Sequence, residues 1–356
     1  MNWWEGQVIN ALDDQASGKA TPVDWWFMYK LPHEHKAHQK ATSNGQSGET
    51  QLSGTNYLYY DASDNSALKL SPHLLGKQGG ALDNTLRQVF DAAEQSNNSV
   101  GWLLYNDERP DGHPDNDLKG HCKGILAFDP VNDTGLWLLH STPRYPAAGE
   151  PLFPDNEKIY AQTFICITLE SYAAVNQIAS QLRAHQEPQV YAHKLPDAIP
   201  GVASGDEIYK LCMGERADRP DEPSIIDFKS KSGKRFKTIA KNRHWAEDFW
   251  IDLVGPTLGV DLSVETWRRG KIPSVEDSDN FHSVTDVSTV DLTPINVNAH
   301  WHYTKDHAKW AASLKPQWTC VADINRQISQ EKRGGGSICF EEQALWQALD
   351  AIEVVT

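Results

Sequence analysis

Cysteine is scarce in this chain, long apolar runs are missing, and positive charge is in deficit. The five cysteines, Cys122, Cys166, Cys212, Cys320 and Cys339, include no Cys-x-x-Cys pair, and an odd number cannot be fully bridged within one chain. Neither a disulfide framework nor a structural zinc site is therefore expected. No stretch approaches the roughly 18 consecutive apolar residues of a membrane span, so no membrane partner is expected. Residues 1–21 carry Glu5, Asp13 and Asp14 with neither a basic start nor an apolar stretch, which argues against a signal peptide. With 33 Lys plus Arg against 48 Asp plus Glu the net charge is −15, a balance that by itself disfavours a nucleic-acid partner. What remains is ordinary globular composition, 39% hydrophobic and 23% charged over 356 residues, enough for about two packed units.

Strand and helix signals alternate along both halves. Strands are expected at 23–31, 55–61, 100–105, 123–128, 136–139, 160–169, 236–240, 261–267, 309–312 and 318–324, from short β-branched or aromatic runs bounded by turn residues. Helical spacing marks 81–95, 172–183, 245–253 and 341–352. The Pro/Gly/Asp-rich stretch 196–223 and the polar stretch 273–288 read as loops. His33, His35 and His38 have spacing that could ligate a metal, but they run into a Ser/Asn/Gly-rich segment and read as a solvated loop. The alternation predicts a layered mixed α/β architecture.

Two short segments echo one another. Gly120-His121-Cys122-Lys123-Gly124 and Asp306-His307-Ala308-Lys309-Trp310 are each His-x-Lys leading into an apolar run, and 307 − 121 = 186 is close to half the chain. Their tails are alike: Lys123 is followed by Pro130, Trp137, His140 and Ser141, and Lys309 by Pro316, Trp318, Asp323 and Asn325. On a strand, residues i and i+2 share a face, so each motif sets an imidazole beside an ammonium. That pair suits a phosphodiester, the lysine holding phosphate oxygens while the histidine attacks phosphorus or protonates the leaving oxygen. One such tripeptide arises readily among 14 histidines, whereas two in equivalent halves point to a duplication.

The paired motifs resemble those of the phospholipase D superfamily, although Asp129 stands one place late for the acid expected after the first and no acid follows the second. Within it the chain most resembles the deoxyribonuclease II family. The resemblance rests on Pro22–Trp25 with Tyr29–Pro32, Leu104–Asp107, Gly120–Gly124, Leu136–Ser141, Asp306–Trp310, Trp318–Arg326 and Glu331–Ser337. These blocks run in order over nearly the whole chain. Animal members carry a cysteine where Ala311 stands, so their disulfide framework is expected to be incomplete or absent here. Cys122 replaces a hydroxyl residue and is expected to point away from the site.

The resemblance implies an α/β fold of mixed β-sheets flanked by helices, a phospholipase D-like fold duplicated about a pseudo-twofold axis. The expected divisions are an N-terminal extension, 1–21, a first half, 22–195, and a second half, 196–356, each half with one motif. It further implies metal-independent endonucleolytic cleavage of double-stranded DNA in acid, without a cofactor, leaving 3′-phosphate and 5′-hydroxyl ends. By superfamily analogy His121 is the nucleophile that forms a phosphohistidine and His307 the acid, with the reverse assignment open. Lys123 and Lys309 would hold non-bridging oxygens. His140, Ser141, Asp323 and Asn325 are the expected substrate-binding residues, returning on neighbouring strands to bind phosphate or orient a histidine. Lys30 and Asn106 fall in matching blocks with no role assigned, and Gly334-Gly335-Gly336 reads as a phosphate cradle or a plain turn. The alternatives are a phospholipase D-like phosphodiesterase acting on another phosphodiester, and a nucleic-acid-binding protein with a decayed site. The latter is disfavoured because all four His and Lys positions are present. Since one chain holds both motifs, a homodimer is compatible with the chemistry without being needed for it. Animal members are lysosomal, but with no leader expected here the compartment stays open.

The acidic balance is uneven. Residues 228–245 hold Lys229, Lys231, Lys234, Arg235, Lys237, Lys241 and Arg243 and no acid, leaving −22 on the rest. This stripe is a candidate phosphate-backbone contact. Protonation of histidines and carboxylates near pH 5 would lower the repulsion the remainder presents to DNA, which adds to the expectation of an acid optimum.

Overall fold

The computed structural model of the chain describes residues 9–14, 20–33, 52–63, 66–95, 98–113, 118–197, 202–218, 220–272, 282–315 and 317–355. Its central strands are apolar on both faces, which requires cover on both faces. Trp25–Lys30 shows the pattern: Trp25, Phe27 and Tyr29 enter one core while Trp26 and Met28 enter another. Lys123–Asp129, Thr134–His140 and Gln162–Leu169 are likewise buried throughout.

Two large sheets result. The first, antiparallel throughout, runs Val190–Lys194, Gly101–Asn106, Lys123–Asp129, Thr134–His140, Gln162–Leu169, Trp25–Lys30, Tyr57–Asp61, Lys69–Leu70. The second runs Ser224–Lys229, Arg235–Lys241, Gly335–Glu341, Trp318–Ala322, Trp310–Ser313, Leu262–Glu265, Val284–Asp291, His300–His302, with Leu262–Glu265 and Val284–Asp291 parallel. The motif-bearing strands Lys123–Asp129 and Trp310–Ser313 are each followed in chain order by the neighbour on one side, so the halves share one ladder around the motif.

A single core joins the sheets face to face, with Trp25, Trp137, Phe236, Trp310, Val321 and Phe340 among its members. Helix Ala81–Ala93 covers the outer face of the first sheet through Leu82, Leu86, Val89 and Phe90. Ile9 and Ala11 pack into that outer core, and Ala11–Leu12 pairs with Pro22–Val23. A π-helical turn, Phe249–Val254, running into helix Gly255–Leu258 covers the second sheet through Trp250, Leu253 and Val254. Helix Tyr172–Gln181 is capped by the Ser171 side chain, which accepts from the Ala174 amide, and then widens into the π-helical turn Leu182–Gln186. None of the described helices is long and apolar enough to cross a membrane.

Several expectations are corrected. The stretch 273–288 does not end as loop, because Val284–Asp291 is a strand. Residues 196–223 hold the short helix Glu207–Cys212. One expectation is met among them: Cys320 and Cys339, directly paired across Trp318–Ala322 and Gly335–Glu341, form a single disulfide, so bridging is incomplete as expected. Cys122, Cys166 and Cys212 are buried thiols. The glycine run is neither cradle nor plain turn: Gly335 opens a strand, and a Cβ on Gly334 would lie 2.5 Å from the Gln186 carbonyl oxygen. Only His33 of the histidine trio falls among the described residues, and no group of three or more potential metal-holding residues occurs among them.

Candidate active site

Both His-x-Lys motifs lie at strand entrances rather than along strands. Lys123 is the first residue of its strand, and His307 and Lys309 precede Trp310–Ser313. The middle residues, Cys122 and Ala308, point into the shared core, which sends their neighbours the other way. Each histidine is tied by its main chain to the opposite half: His121 N–H donates to the Gly334 carbonyl at 2.8 Å, and His307 N–H to the Ala161 carbonyl at 2.9 Å. The crossed bonds bring the motifs together. His121 feels the charge of Lys309, and His307 and Lys309 each feel that of Lys123.

His121 donates from Nδ1 to the Asp323 carbonyl. A carbonyl can only accept, so Nδ1 carries the proton and the neutral ring keeps a bare lone pair on Nε2. That Nε2 stands 3.8 Å from Asp107 Oδ2. The Asp107 carboxylate also takes Lys123 Nζ on Oδ1 and Arg333 Nη2 at 3.2 Å on Oδ2. Burial would raise the Asp107 pKa, but Lys123, His121 and Arg333 together hold it well below the usual carboxylate range.

His307 is gripped by rings. Tyr160 stacks on it at 3.8 Å between centroids and 10° between planes, and Trp267 lies at 4.4 Å on a tilt. Its Nδ1 stands 3.8 Å from Glu157 Oε2 and its Nε2 is buried with no hydrogen-bond partner. Behind Glu157 runs a relay: Ser141 Oγ donates to Gln162 Oε1 at 2.5 Å, and Gln162 Nε2 donates to Glu157 Oε2 at 3.1 Å. Lys309 Nζ donates to the His307 carbonyl at 2.6 Å. The imidazoles keep 13% and 12% of their side-chain surface, against 2% for the Lys123 side chain, and Lys309 is likewise buried, so the histidines are the more accessible groups.

The four expected substrate-binding residues separate into two kinds. Ser141 and Asp323 occupy matching places: Ser141 Oγ accepts from Thr163 N–H at 2.9 Å, and Asp323 Oδ1 from Gly336 N–H at 2.7 Å. Asp323 meets His121 through its carbonyl, not its carboxylate, whose Oδ2 is buried without a partner. His140 is wholly buried between Tyr145 and Phe164, with Nδ1 accepting from the Thr142 amide at 3.2 Å and Nε2 unpartnered. Asn325 is nearly buried beside Lys241, Asp248, Arg326 and Gln330, and its Oδ1 has no partner. Asp129 caps the turn at the far end of its strand, accepting from Ser99 and Asn132, about 20 Å from the site at ~3.3 Å per residue.

Burial and the lysine charges set the titration. His307 is pushed down to about 2 by burial, Lys309 and Lys123, and His121 falls well below its ordinary value from burial and Lys123. Burial lowers Lys309 to about 7 with help from Lys123. Burial raises Asp323 to about 7, and it raises Glu157 to about 7 with help from Glu108.

Asp107, Glu157, Tyr160, Trp267 and Arg333 were not singled out as site residues by the sequence. Asp107 and Arg333 stand inside quoted blocks, so adjacency to them was an available signal, whereas Glu157, Tyr160 and Trp267 carry no local mark. The basic stripe is largely occupied by the protein itself. Lys241 is buried among main-chain carbonyls, Lys234 pairs with Glu342 at 2.7 Å, Lys237 with Asp227 at 2.7 Å, and Arg243 donates to the Leu118 carbonyl.

Glycine is required beside His121. A Cβ on Gly120 would lie 1.7 Å from the Gln186 carbonyl oxygen, where the π-helical turn delivers it. Gly120→Ala is therefore expected to destabilise the fold by roughly 1–3 kcal/mol or more. A urea midpoint equal to that of the unsubstituted protein would contradict this packing.

The sequence profile of the family described as Deoxyribonuclease II matches residues 16–354. The chain belongs to the deoxyribonuclease II family. It is 42% identical to the putative deoxyribonuclease-2 of Burkholderia pseudomallei, over 94% of this chain and 90% of that protein. It is 32% identical to plancitoxin-1 of Acanthaster planci, over 96% and 90%. With the deoxyribonuclease-2-alpha of Rattus norvegicus it shares 29% identity, over 98% and 94%. Membership makes the chain a nuclease hydrolase of phospholipase D-like fold, and its mixed sheets flanked by helices agree.

Proposed function

We propose that the chain is a metal-independent acid endonuclease that cleaves double-stranded DNA to 3′-phosphate and 5′-hydroxyl ends through a phosphohistidine. The observation that carries this reading is the crossed arrangement of His121-x-Lys123 and His307-x-Lys309, which puts two imidazoles and two ammoniums in one pit. His121, protonated on Nδ1 by its bond to the Asp323 carbonyl, presents Nε2 to attack phosphorus. The P–O5′ bond breaks and the departing oxygen takes a proton from the His307 imidazole. His307, now the base, removes a proton from water, which attacks the phosphohistidine and frees His121 with the 3′-phosphate. Lys123 and Lys309 offset the charge on the non-bridging oxygens. In the free site both imidazoles are held neutral by burial and by these lysines. A bound phosphodiester anion offsets that field and favours protonation of His307, whose Nδ1 faces Glu157. Because protons move among coupled groups, the two histidines titrate as a pair.

Ser141 and Asp323 act in this reading by holding the loops behind the histidines. His140 and Asn325 would contact DNA only after local movement. The two halves, 22–195 and 196–356, each supply one motif, and one chain completes the site without a second copy.

The pH dependence follows in sign. As pH rises through about 7, Lys309 loses the charge that attracts phosphate while Asp323 and Glu157 gain charges that repel it. The purified protein is therefore expected to nick supercoiled plasmid near pH 5 in the presence of EDTA, with activity falling steeply above pH 7. Activity that appears only on addition of a divalent metal, or that rises through pH 7 to 8, would overturn the reading. Cleavage of a phospholipid diester in preference to plasmid would exchange the substrate.

A further inference from the structure

Two lysines that take no part in these steps occupy equivalent places in the two sheets. Lys30 ends the strand Trp25–Lys30, opposite Gln162 at the start of Gln162–Leu169. Lys241 ends the strand Arg235–Lys241, opposite Gly335 at the start of Gly335–Glu341. Both are wholly buried.

Each ammonium is enclosed by three main-chain carbonyls. Lys30 Nζ donates to those of Glu157 and Lys158, both at 2.8 Å, and of Tyr160. Lys241 Nζ donates to those of Gln330 at 3.3 Å, Glu331 at 2.6 Å and Arg333 at 2.8 Å. An ammonium has three donors, so both cages are full. The acceptors keep one offset: 330 − 157, 331 − 158 and 333 − 160 are all 173. The same offset relates Ala161 to Gly334, whose carbonyls take the main-chain N–H groups of His307 and His121. The caged segments are therefore counterparts, and each serves the histidine of the opposite half. Segment 157–161 gives His307 its Glu157 neighbour, its Tyr160 stack and its Ala161 acceptor. Segment 330–334 gives His121 its Gly334 acceptor and brings Arg333 to the Asp107 carboxylate beside it.

We propose that Lys30 and Lys241 are positioning residues acting crosswise, Lys30 fixing the segment that orients His307 and Lys241 the segment that orients His121. An apolar side chain of similar length would fill the space without the desolvation cost of a charge. What it would not do is hold three carbonyls of an irregular segment in one geometry. The groups facing Lys30 are Glu157, Asp306, Lys158 and His307, with the Phe153 ring at 5.2 Å, and those facing Lys241 are Glu331 and Asp248, with the Trp245 ring at 5.9 Å. Burial lowers Lys30 to about 7 and Lys241 to about 8, so in acid both cages hold a full ammonium and at higher pH each loses a donor.

The activity readout rests on the nuclease reading, so the test adds one that does not. Histidine ring resonances of the full chain are recorded by NMR with isotope-labelled histidine, and His121 and His307 are assigned from His121→Gln and His307→Gln. Lys30→Met is expected to move the His307 resonances and spare those of His121, and Lys241→Met to do the reverse. On plasmid each is expected to lower kcat by about 10²-fold, the loss an ångström of misplacement can cause, with KM held within about twofold. Lys30→Arg and Lys241→Arg, which restore donors, are expected to regain part of kcat, and they carry the same resonance test if a methionine variant fails to fold. Shifts at the histidine of the same half, at both, or at neither would overturn the inference, as would full kcat in either methionine variant. If the unsubstituted protein leaves DNA uncut, the nuclease reading fails while the resonance pattern still decides the crosswise roles.

Discussion

His121→Ala is expected to leave no measurable plasmid nicking, and His307→Ala to lose at least about 10³-fold, within the range carried by a positioned proton donor. The two losses have different origins, and an activated substrate separates them. Bis(4-nitrophenyl) phosphate has a leaving group that needs no proton, so the enzyme lacking His307 should still form the phosphohistidine and release one nitrophenolate per site in a burst. The enzyme lacking His121 should show no burst. This asymmetry follows from the His121 bond to the Asp323 carbonyl, which leaves Nε2 bare. A burst from the His121 variant and none from the His307 variant would exchange the two roles, and robust nicking by both would end the mechanism.

Asp107→Ala is expected to produce the largest loss of stability. The Asp107 carboxylate is almost wholly buried and holds Lys123 and Arg333 while standing 3.8 Å from His121. Its removal strands the buried Lys123 ammonium, while Arg333 keeps the Lys119 and Gly120 carbonyls, and breaking a buried pair in that way costs about 3–5 kcal/mol. The measurement is the urea midpoint and slope at one pH. A change within about 0.5 kcal/mol, the usual size for a surface substitution, would show that the pit is wetter than its burial indicates. Lys123→Met made alongside Asp107→Ala should recover part of the stability, because the stranded charge goes with it.

The parts of the fold most legible in sequence were those whose local pattern and burial agree. Lys123–Asp129, Thr134–His140 and Gln162–Leu169 are near-continuous apolar runs because both faces of their sheet are covered, and helix Ala81–Ala93 shows the one-sided spacing of an outer layer. The first part of Val284–Asp291, up to Ser288, reads as loop because Thr285, Asp286 and Ser288 dilute its apolar positions. Gly335–Glu341 carries no strand signal because three glycines read as a turn, whereas here Gly334 admits the Gln186 main chain, Gly335 the Ile324 side chain and Gly336 the Ile239 carbonyl. In the site, the His-x-Lys pairs were legible because their chemistry is local. Glu157 and Arg333 were not, since each meets its partner in the site only after segments distant in sequence have packed, whereas Asp107 lies one strand away from Lys123, 16 residues along the chain, and lacks only a motif to mark it. Cys320 and Cys339 are 19 residues apart in no motif, and only strand pairing brings them together.

The crossed hydrogen bonds of the two histidines also bear on the order of events during synthesis. His121 takes its main-chain acceptor from Gly334 and its neighbouring cation from Arg333, more than 200 residues later in the chain. A nascent polypeptide emerging from the ribosome thus displays the first His-x-Lys long before the segment that completes it has been made. Under the proposed mechanism competence arrives late, with Gly335–Glu341 laid down only shortly before helix Gln343–Ile352, and a chain that stops short of Gly334 is expected to leave nucleic acid uncut.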